Sequence, residues 1–230
     1  MNKKLSIIIP VLNEEATLEK TLEQVYSAQV FDYEKEIIII DDGSTDETPE
    51  ILERVKDKFN LIVLKHGKRQ GKGSALKTGF ERITGQAVII QDADLEYSPN
   101  DYENLLRVFE NTGSVVYGSR NLNPDRKGYS HYVFGVWFLT KVNNILFNSK
   151  LTDTYTCYKL FPSDLIKSIQ LKSNGFEIEA EITAKILKKG KDIKEVPIKY
   201  NPRKFKDGKK IKIIDGLKGL WTIIRYRIIN

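Results

Sequence analysis

The chain holds one cysteine, Cys157, and two histidines, His66 and His131, in 230 residues. A single thiol excludes an internal disulfide and fits a reducing compartment. Neither histidine has a partner at metal-ligand spacing, so both read as structural, and Cys157, with no base beside it in sequence, reads as a packed thiol. Long apolar runs are also missing. The longest apolar region, 133–146, is interrupted by Lys141, Asn143 and Asn144, short of the roughly 18 apolar residues a membrane-spanning helix needs. Lys3 and Lys4 lead directly into a short run ending at Pro10, so no secretory signal is expected. Repeats, low-complexity tracts and linker-like stretches are absent as well, and the length fits one domain.

What is present is a globular composition, 40% hydrophobic and 30% charged, with a formal charge of +6. The basic excess gathers after Lys185, including Lys188, Lys189, Arg203, Lys204, Lys206, Lys209, Lys210, Lys218, Arg225 and Arg227. Such a tail suits an anionic partner (phosphate-bearing substrate, acidic membrane or nucleic acid) or simply forms a solvated surface.

Hydrophobic patterning predicts alternating strands and helices in the first half. Strands are expected at Leu5–Pro10, Glu36–Ile40, Leu61–Leu64 and Ala87–Gln91. Helices are expected at Glu14–Ser27, from Thr45 or Asp46 to Phe59, and at Ser74–Ile83. Continuous rather than alternating apolar strands are the mark of strands buried on both faces, and alternation with helices argues for right-handed βαβ units and a parallel sheet. In such sheets ligands bind beyond the carboxyl ends of the strands. The acid-bearing loops after Pro10, Ile40 and Gln91 all fall there. The second half is less regular: a strand at Val115–Tyr117, helices at His131–Asn148 and Glu177–Lys189, a strand at Glu195–Tyr200, a basic loop at Asn201–Lys210, and a final amphipathic helix at Ile213–Ile228.

Asp92-Ala93-Asp94-Leu95-Glu96 concentrates carboxylates at one strand end. Left unpaired they are costly, so a cation is expected, and oxygen donors select Mg²⁺ or Mn²⁺. Taken alone, an Asp-x-Asp is also what an ordinary acidic turn looks like. Asp41-Asp42-Gly43-Ser44 can accept from a base N–H or a ribose hydroxyl, or can be a turn and helix cap. Gly71-Lys72-Gly73 resembles part of a phosphate cradle but lacks the full P-loop pattern, which argues against kinases and ATPases; Lys72 can sit near phosphate or be an ordinary loop lysine.

The order of these motifs is more specific than any one of them. Pro10-Val11-Leu12-Asn13-Glu14, Asp41 to Ser44, Gly71 to Ala75 and Asp92 to Glu96 together resemble family 2 glycosyltransferases of the GT-A fold. Gly118-Ser119-Arg120, Asp153 to Lys159, Gly175-Phe176-Glu177 and Pro197 to Tyr200 narrow this to the dolichyl-phosphate mannose synthase and polyprenyl-phosphate glycosyltransferase branch. The resemblance implies an α/β, Rossmann-like, mostly parallel sheet flanked by helices, with C-terminal amphipathic helices. It implies a single catalytic domain, in which 1–120 binds the nucleotide sugar and 121–230 the acceptor. Pro10, Leu12, Glu14, Asp41 and Asp42 would line the nucleotide pocket, and Asp92 and Ala93 would border the nucleotide sugar. Asp94 and Glu96 would hold the metal; Arg120, Arg203 and Lys209 would face phosphates, and Asp153 the substrate. Members of that branch often carry Gln at the position of Glu96 and Ser-Gly-Phe-Arg at Thr156-Cys157-Tyr158-Lys159, and many have C-terminal transmembrane helices.

The expected reaction is an inverting transfer of a hexose from a UDP-glucose- or GDP-mannose-type donor to a lipid phosphate. A phosphate acceptor is already anionic, so positioning and electrostatics suffice. A saccharide hydroxyl acceptor would instead need a base, with Asp153, Glu177 and Glu179 as candidates. Ile213–Ile228 and His131–Asn148 suit either internal packing or an anionic membrane surface. The expected location is the cytoplasmic face of a membrane, bound peripherally. The rival from another class is a non-catalytic nucleotide-sugar or nucleic-acid binding module; clustered acids at the strand ends repel nucleic acid, which is not an expected partner.

Overall fold

Leu5, Ile7, Ile8 and Ile9 are completely buried, as are Ile38, Ile39 and Ile40. Consecutive burial means that both faces of each strand are covered, as a parallel sheet between helices requires. A computed structural model describes residues 3–125, 130–203 and 213–229. In it, β1 (Lys4–Val11), β2 (Glu34–Asp41), β3 (Leu61–Lys65) and β4 (Ala87–Ile90) are connected through α1 (Leu18–Ser27), α2 (Thr48–Val55) and α3 (Lys72–Phe80). A 3₁₀ turn (Pro99–Asp101) and α4 (Tyr102–Thr112) lead to β5 (Val115–Ser119), and α5 (Ser130–Phe147) leads to β6 (Lys159–Pro162). The chain closes with α6 (Ser163–Lys167), α7 (Ile178–Lys188), β7 (Ile193–Pro197) and α8 (Ile213–Ile228).

These strands form one seven-stranded sheet in the order β3-β2-β1-β4-β6-β5-β7. All pairings are parallel except those of β6, which runs antiparallel to β4 and β5. The α/β, mostly parallel architecture expected from the sequence is therefore present. Because β6 is reversed, its first residue, Lys159, stands at the same sheet edge as the carboxyl ends of the parallel strands.

Neither α4 nor β6 is among the elements expected from the sequence. The α4 signal was available: Leu105, Leu106 and Phe109 recur at helical spacing, and Gly113 ends the helix in the left-handed region at φ 62°, a common C-terminal cap. The β6 signal was not, because four residues beginning with a lysine and ending with a proline do not read as an interior strand. The predicted strand Glu195–Tyr200 is displaced, β7 being Ile193–Pro197 with only a bridge between Tyr97 and Tyr200 beyond it.

Both helices considered for the membrane turn out to be two-sided. Leu139 of α5, Ala180 of α7 and Ile223 of α8 form a small separate core, joined by Val142, Leu146, Tyr155 and Leu220. The opposite faces are bare: Trp137 is 49% and Ile145 80% exposed on α5, and Trp221 is 64% and Ile228 76% exposed on α8. Among the described residues, no helix is long and apolar enough to cross a membrane.

Candidate active site

The loops after β1 and β2 are stitched together. Asn13, held at φ 51°, donates its backbone N–H to Ser44 Oγ at 2.9 Å, and its side-chain oxygen accepts from Thr45 N at 2.8 Å. Glu14 N donates to Thr48 Oγ1 at 2.9 Å. Pro10 and Leu12 flank this seam, half-buried. Asp41 is buried, with Oδ1 accepting the Ser44 N–H at 2.9 Å. Asp42, expected to touch substrate, is held by donors of the protein itself. It is buried and accepts from Gln70 N at 2.9 Å, Gly71 N at 2.7 Å and His66 Nδ1 at 2.7 Å. It anchors the loop that precedes α3, and His66, whose other nitrogen meets Thr78 Oγ1 at 3.0 Å, is the structural histidine the sequence suggested.

Past β4 the acidic segment folds on itself. Leu95 takes φ 59°, and Glu96 N donates to Asp94 Oδ1 at 3.1 Å. Ala93 is buried, its carbonyl accepting from Thr21 Oγ1 at 3.0 Å. Arg203 reaches across the sheet edge to this segment. Its Nη2 lies 2.7 Å from Glu14 Oε2 and 3.5 Å from Asp94 Oδ2, while Nε donates to the Asp94 carbonyl at 3.0 Å. Glu96 accepts the Arg203 backbone N–H and the Tyr200 hydroxyl, both at 2.8 Å. Each Glu96 oxygen keeps a second lone pair, and both carboxylates are half-buried, the Asp94 side chain being 21% exposed. Glu14, Asp94, Glu96 and Arg203, spread over nearly the whole sequence, thus meet at one place.

A second arginine stands beside them. Arg120 Nε and Nη2 donate to Asp153 Oδ2 and Oδ1 at 2.6 and 2.8 Å, and its guanidinium lies 5.1 Å from the Tyr200 ring centre. Asp153 has no exposed surface and holds Arg120 through both of its oxygens. Behind it, Glu195 accepts the N–H groups of Thr152 and Asp153 at 2.8 and 2.9 Å; burial pushes the Glu195 carboxyl above its ordinary range in spite of those bonds. Tyr200 and Glu195 were not assigned these supporting roles from the sequence, because the pairing of their elements with the loops after β4 and β5 is a tertiary fact.

Lys72 sits between Asp92 Oδ1 at 2.9 Å and Glu179 Oε1 at 3.0 Å, and Lys159 contacts the other Glu179 oxygen. Burial would raise the Asp92 carboxyl, but the adjacent Lys72 charge outweighs it and holds the group below its usual value. The same pairing overcomes burial at Lys72 and raises its ammonium well above normal. Cys157 is a buried thiol, pushed upward by burial and by the Asp92 charge, in line with a packed role. Lys209 and the His131 side chain lie outside the described residues.

Residues 6–169 match the glycosyl transferase family 2 profile, and the chain belongs to that family. It is 27% identical over 234 residues to the low-salt glycan biosynthesis hexosyltransferase Agl6 of Haloferax volcanii, covering 98% of this chain and 53% of that protein. It is 28% identical over 213 residues to the dolichol-phosphate mannosyltransferase of Pyrococcus furiosus, covering 87% of this chain and 57% of that protein. The chain therefore spans just over half the length of these two relatives. In fold it resembles the crystal structure of glucosyl-3-phosphoglycerate synthase from Mycobacterium tuberculosis in complex with Mn²⁺, uridine diphosphate and glucosyl-3-phosphoglycerate. That match has a TM-score of 0.74 at 19% identity, over 99% of this chain and 81% of that one. The GT-A architecture of a family 2 glycosyltransferase is thus common to the sequence and the fold.

Proposed function

We propose that the chain is an inverting, divalent-metal-dependent hexosyltransferase that moves a sugar from a nucleotide diphosphate to a polyprenyl or dolichyl phosphate at a membrane surface. The observation that carries this reading is the meeting of Glu14, Asp94, Glu96 and Arg203 at the carboxyl edge of the sheet, beside an Arg120 locked by Asp153. Ligands of parallel sheets bind at this edge, and rigid arginine forks suit phosphate oxygens.

The donor set fits Mg²⁺ or Mn²⁺ in kind, being carboxylate oxygen from Asp94 and Glu96. Among the described residues no three Asp, Glu, His or Cys side chains form a closed cation cage. An arrangement in which diphosphate and water complete the shell suits these ions, which bind through one or two carboxylates plus substrate phosphates. When bound, such an ion neutralises charge developing on the departing nucleotide diphosphate. Arg203, now paired with Glu14 and Asp94, would turn toward the same phosphates. Arg120 would steady the acceptor phosphate, whose anionic oxygen attacks the sugar carbon without a base. The synthase of similar fold was crystallised with Mn²⁺ and uridine diphosphate, and the Pyrococcus relative is named a dolichol-phosphate mannosyltransferase; both support the reading.

The exposed faces of α5 and α8 supply the membrane contact. No acidic residue occurs in α5 and only Asp215 in α8, whereas Lys141, Lys218, Arg225 and Arg227 are exposed among the bare apolar side chains. Bulky apolar groups with cations and almost no anions match an anionic lipid surface.

A transfer assay with UDP- and GDP-sugars, Mn²⁺ or Mg²⁺, and polyprenyl phosphate present or absent tests this function. A sugar-phosphate-lipid product supports it. Metal-dependent consumption of a donor with only a saccharide hydroxyl accepting would move the acceptor, and failure of every donor to bind would remove the catalytic reading.

A further inference from the structure

Gly71 and Gly73 do not form a phosphate cradle in this fold. A Cβ on Gly71 would lie 2.4 Å from the Asn174 carbonyl oxygen, and one on Gly73 2.6 Å from that of Ser173. Ser74 N donates to Asn174 O at 3.2 Å, and Lys77 Nζ to Asn174 Oδ1 at 2.6 Å. The two glycines therefore let the start of α3 press against the segment that enters α7. Lys72, between them, is directed inward, where it joins Asp92 at the end of β4 to Glu179 on α7, with Lys159 of β6 behind.

This chain of alternating charges is not a surface decoration. Lys159 is fully buried and the Glu179 side chain is 5% exposed, whereas Lys72 and Asp92 are 13% and 23% exposed and face the sheet edge. Burying ions is no route to stability, since a well-packed apolar substitute is often as stable. What such a chain does provide is fixed direction: the Asp92 carboxylate cannot swing while Lys72 holds it, and Lys72 cannot swing while Glu179 does.

Its place along the edge gives it a task. Across the sheet the order is β2 with Asp41, β1 with Pro10, β4 with Asp92 and Asp94, then β6 with Lys159 and β5 leading to Arg120. A donor lying along this edge with its base over β2 and its diphosphate at Asp94 has its sugar on the α7 side, next to Asp92. This step rests on the donor reading given above. We propose that Lys72 is a positioning residue for the transferred sugar: braced by Glu179, it holds the Asp92 carboxylate toward the sugar hydroxyls without touching the nucleotide.

The test compares binding of nucleoside diphosphate and of the matching nucleotide sugar, by calorimetry with Mn²⁺, for the wild type and for Lys72→Met, Lys72→Arg and the charge-balanced double variant Lys72→Met/Glu179→Gln. The double variant removes one cation and one anion, so it remains informative if Lys72→Met alone does not fold. The expected result is nucleoside diphosphate affinity within about twofold of wild type, and nucleotide-sugar affinity and kcat/KM lower by about tenfold or more, as displaced positioning groups produce. Lys72→Arg should recover part of the loss. Equal weakening toward both ligands, or no change toward either, overturns the assignment of Lys72 while leaving the donor reading intact. Failure of the wild type to bind any donor overturns both.

Discussion

Arg120 and Asp153 meet as a two-bonded fork, at 2.6 and 2.8 Å, around an aspartate with no exposed surface. Asp153→Asn would leave a mostly buried guanidinium without its counter-charge. We expect a loss of about 3–5 kcal/mol, measured by urea denaturation. Arg120→Lys keeps the charge but cannot reproduce the fork; kcat/KM should fall by up to about 100-fold with little change in the urea midpoint.

Asp94 is a partly exposed carboxylate of the cleft, 21% accessible beside Arg203. Asp94→Asn should lower kcat by about 100-fold or more, the scale that several kcal/mol of charge stabilisation implies. Initial rates over a Mn²⁺ titration will check this, and a variant that keeps wild-type turnover and metal dependence removes Asp94 from the metal role.

On the far side of the sheet, Glu36 accepts Ser6 Oγ at 2.5 Å and Thr84 N at 2.9 Å. Burial alone would raise its carboxyl, but these hydrogen bonds hold it below the ordinary value of 4.5. A depressed carboxyl contributes stability that is present above the unfolded value and lost as pH falls through the folded one. Glu36→Gln should therefore cost about 1–3 kcal/mol at neutral pH, with the gap to wild type closing as pH drops below that ordinary value. Paired denaturation curves across the acid range measure it; a gap that widens on acidification contradicts this account.

Trp137 and Trp221 are exposed and make no part of the inner core. The double substitution to alanine should weaken binding to anionic vesicles by about tenfold or more and leave thermal stability nearly unchanged. Raising the salt concentration should weaken wild-type binding too, through screening of Lys141, Lys218, Arg225 and Arg227.

Much of this was legible in the sequence because local patterns carried it. The continuous apolar strands announced a two-faced sheet, and the position of acids directly after them fixed which edge is polar. What was hidden depended on pairing. The resemblance implied substrate-side places for Asp42 and Asp153, but not their protein partners, which come from the loop before α3 and from Arg120. Gly71 and Gly73 suggested phosphate binding, while their freedom serves close backbone approach to residues 173 and 174. The helix α8 was readable as packed or membrane-facing; it is two-sided, and only the direction of each side chain separates the faces.

The reversed strand β6 has a further consequence for how the chain can be divided. The motifs from which a donor-binding half was expected lie in residues 1–120, but β5, within that span, pairs with β6 and β7, and the outer edge of β4 is covered by β6. A fragment ending near residue 120 would keep its nucleotide motifs and lose both partners of β5, exposing a bare apolar edge of the kind that draws chains into aggregates. Whatever each half contributes to the chemistry, solubility belongs to the two together.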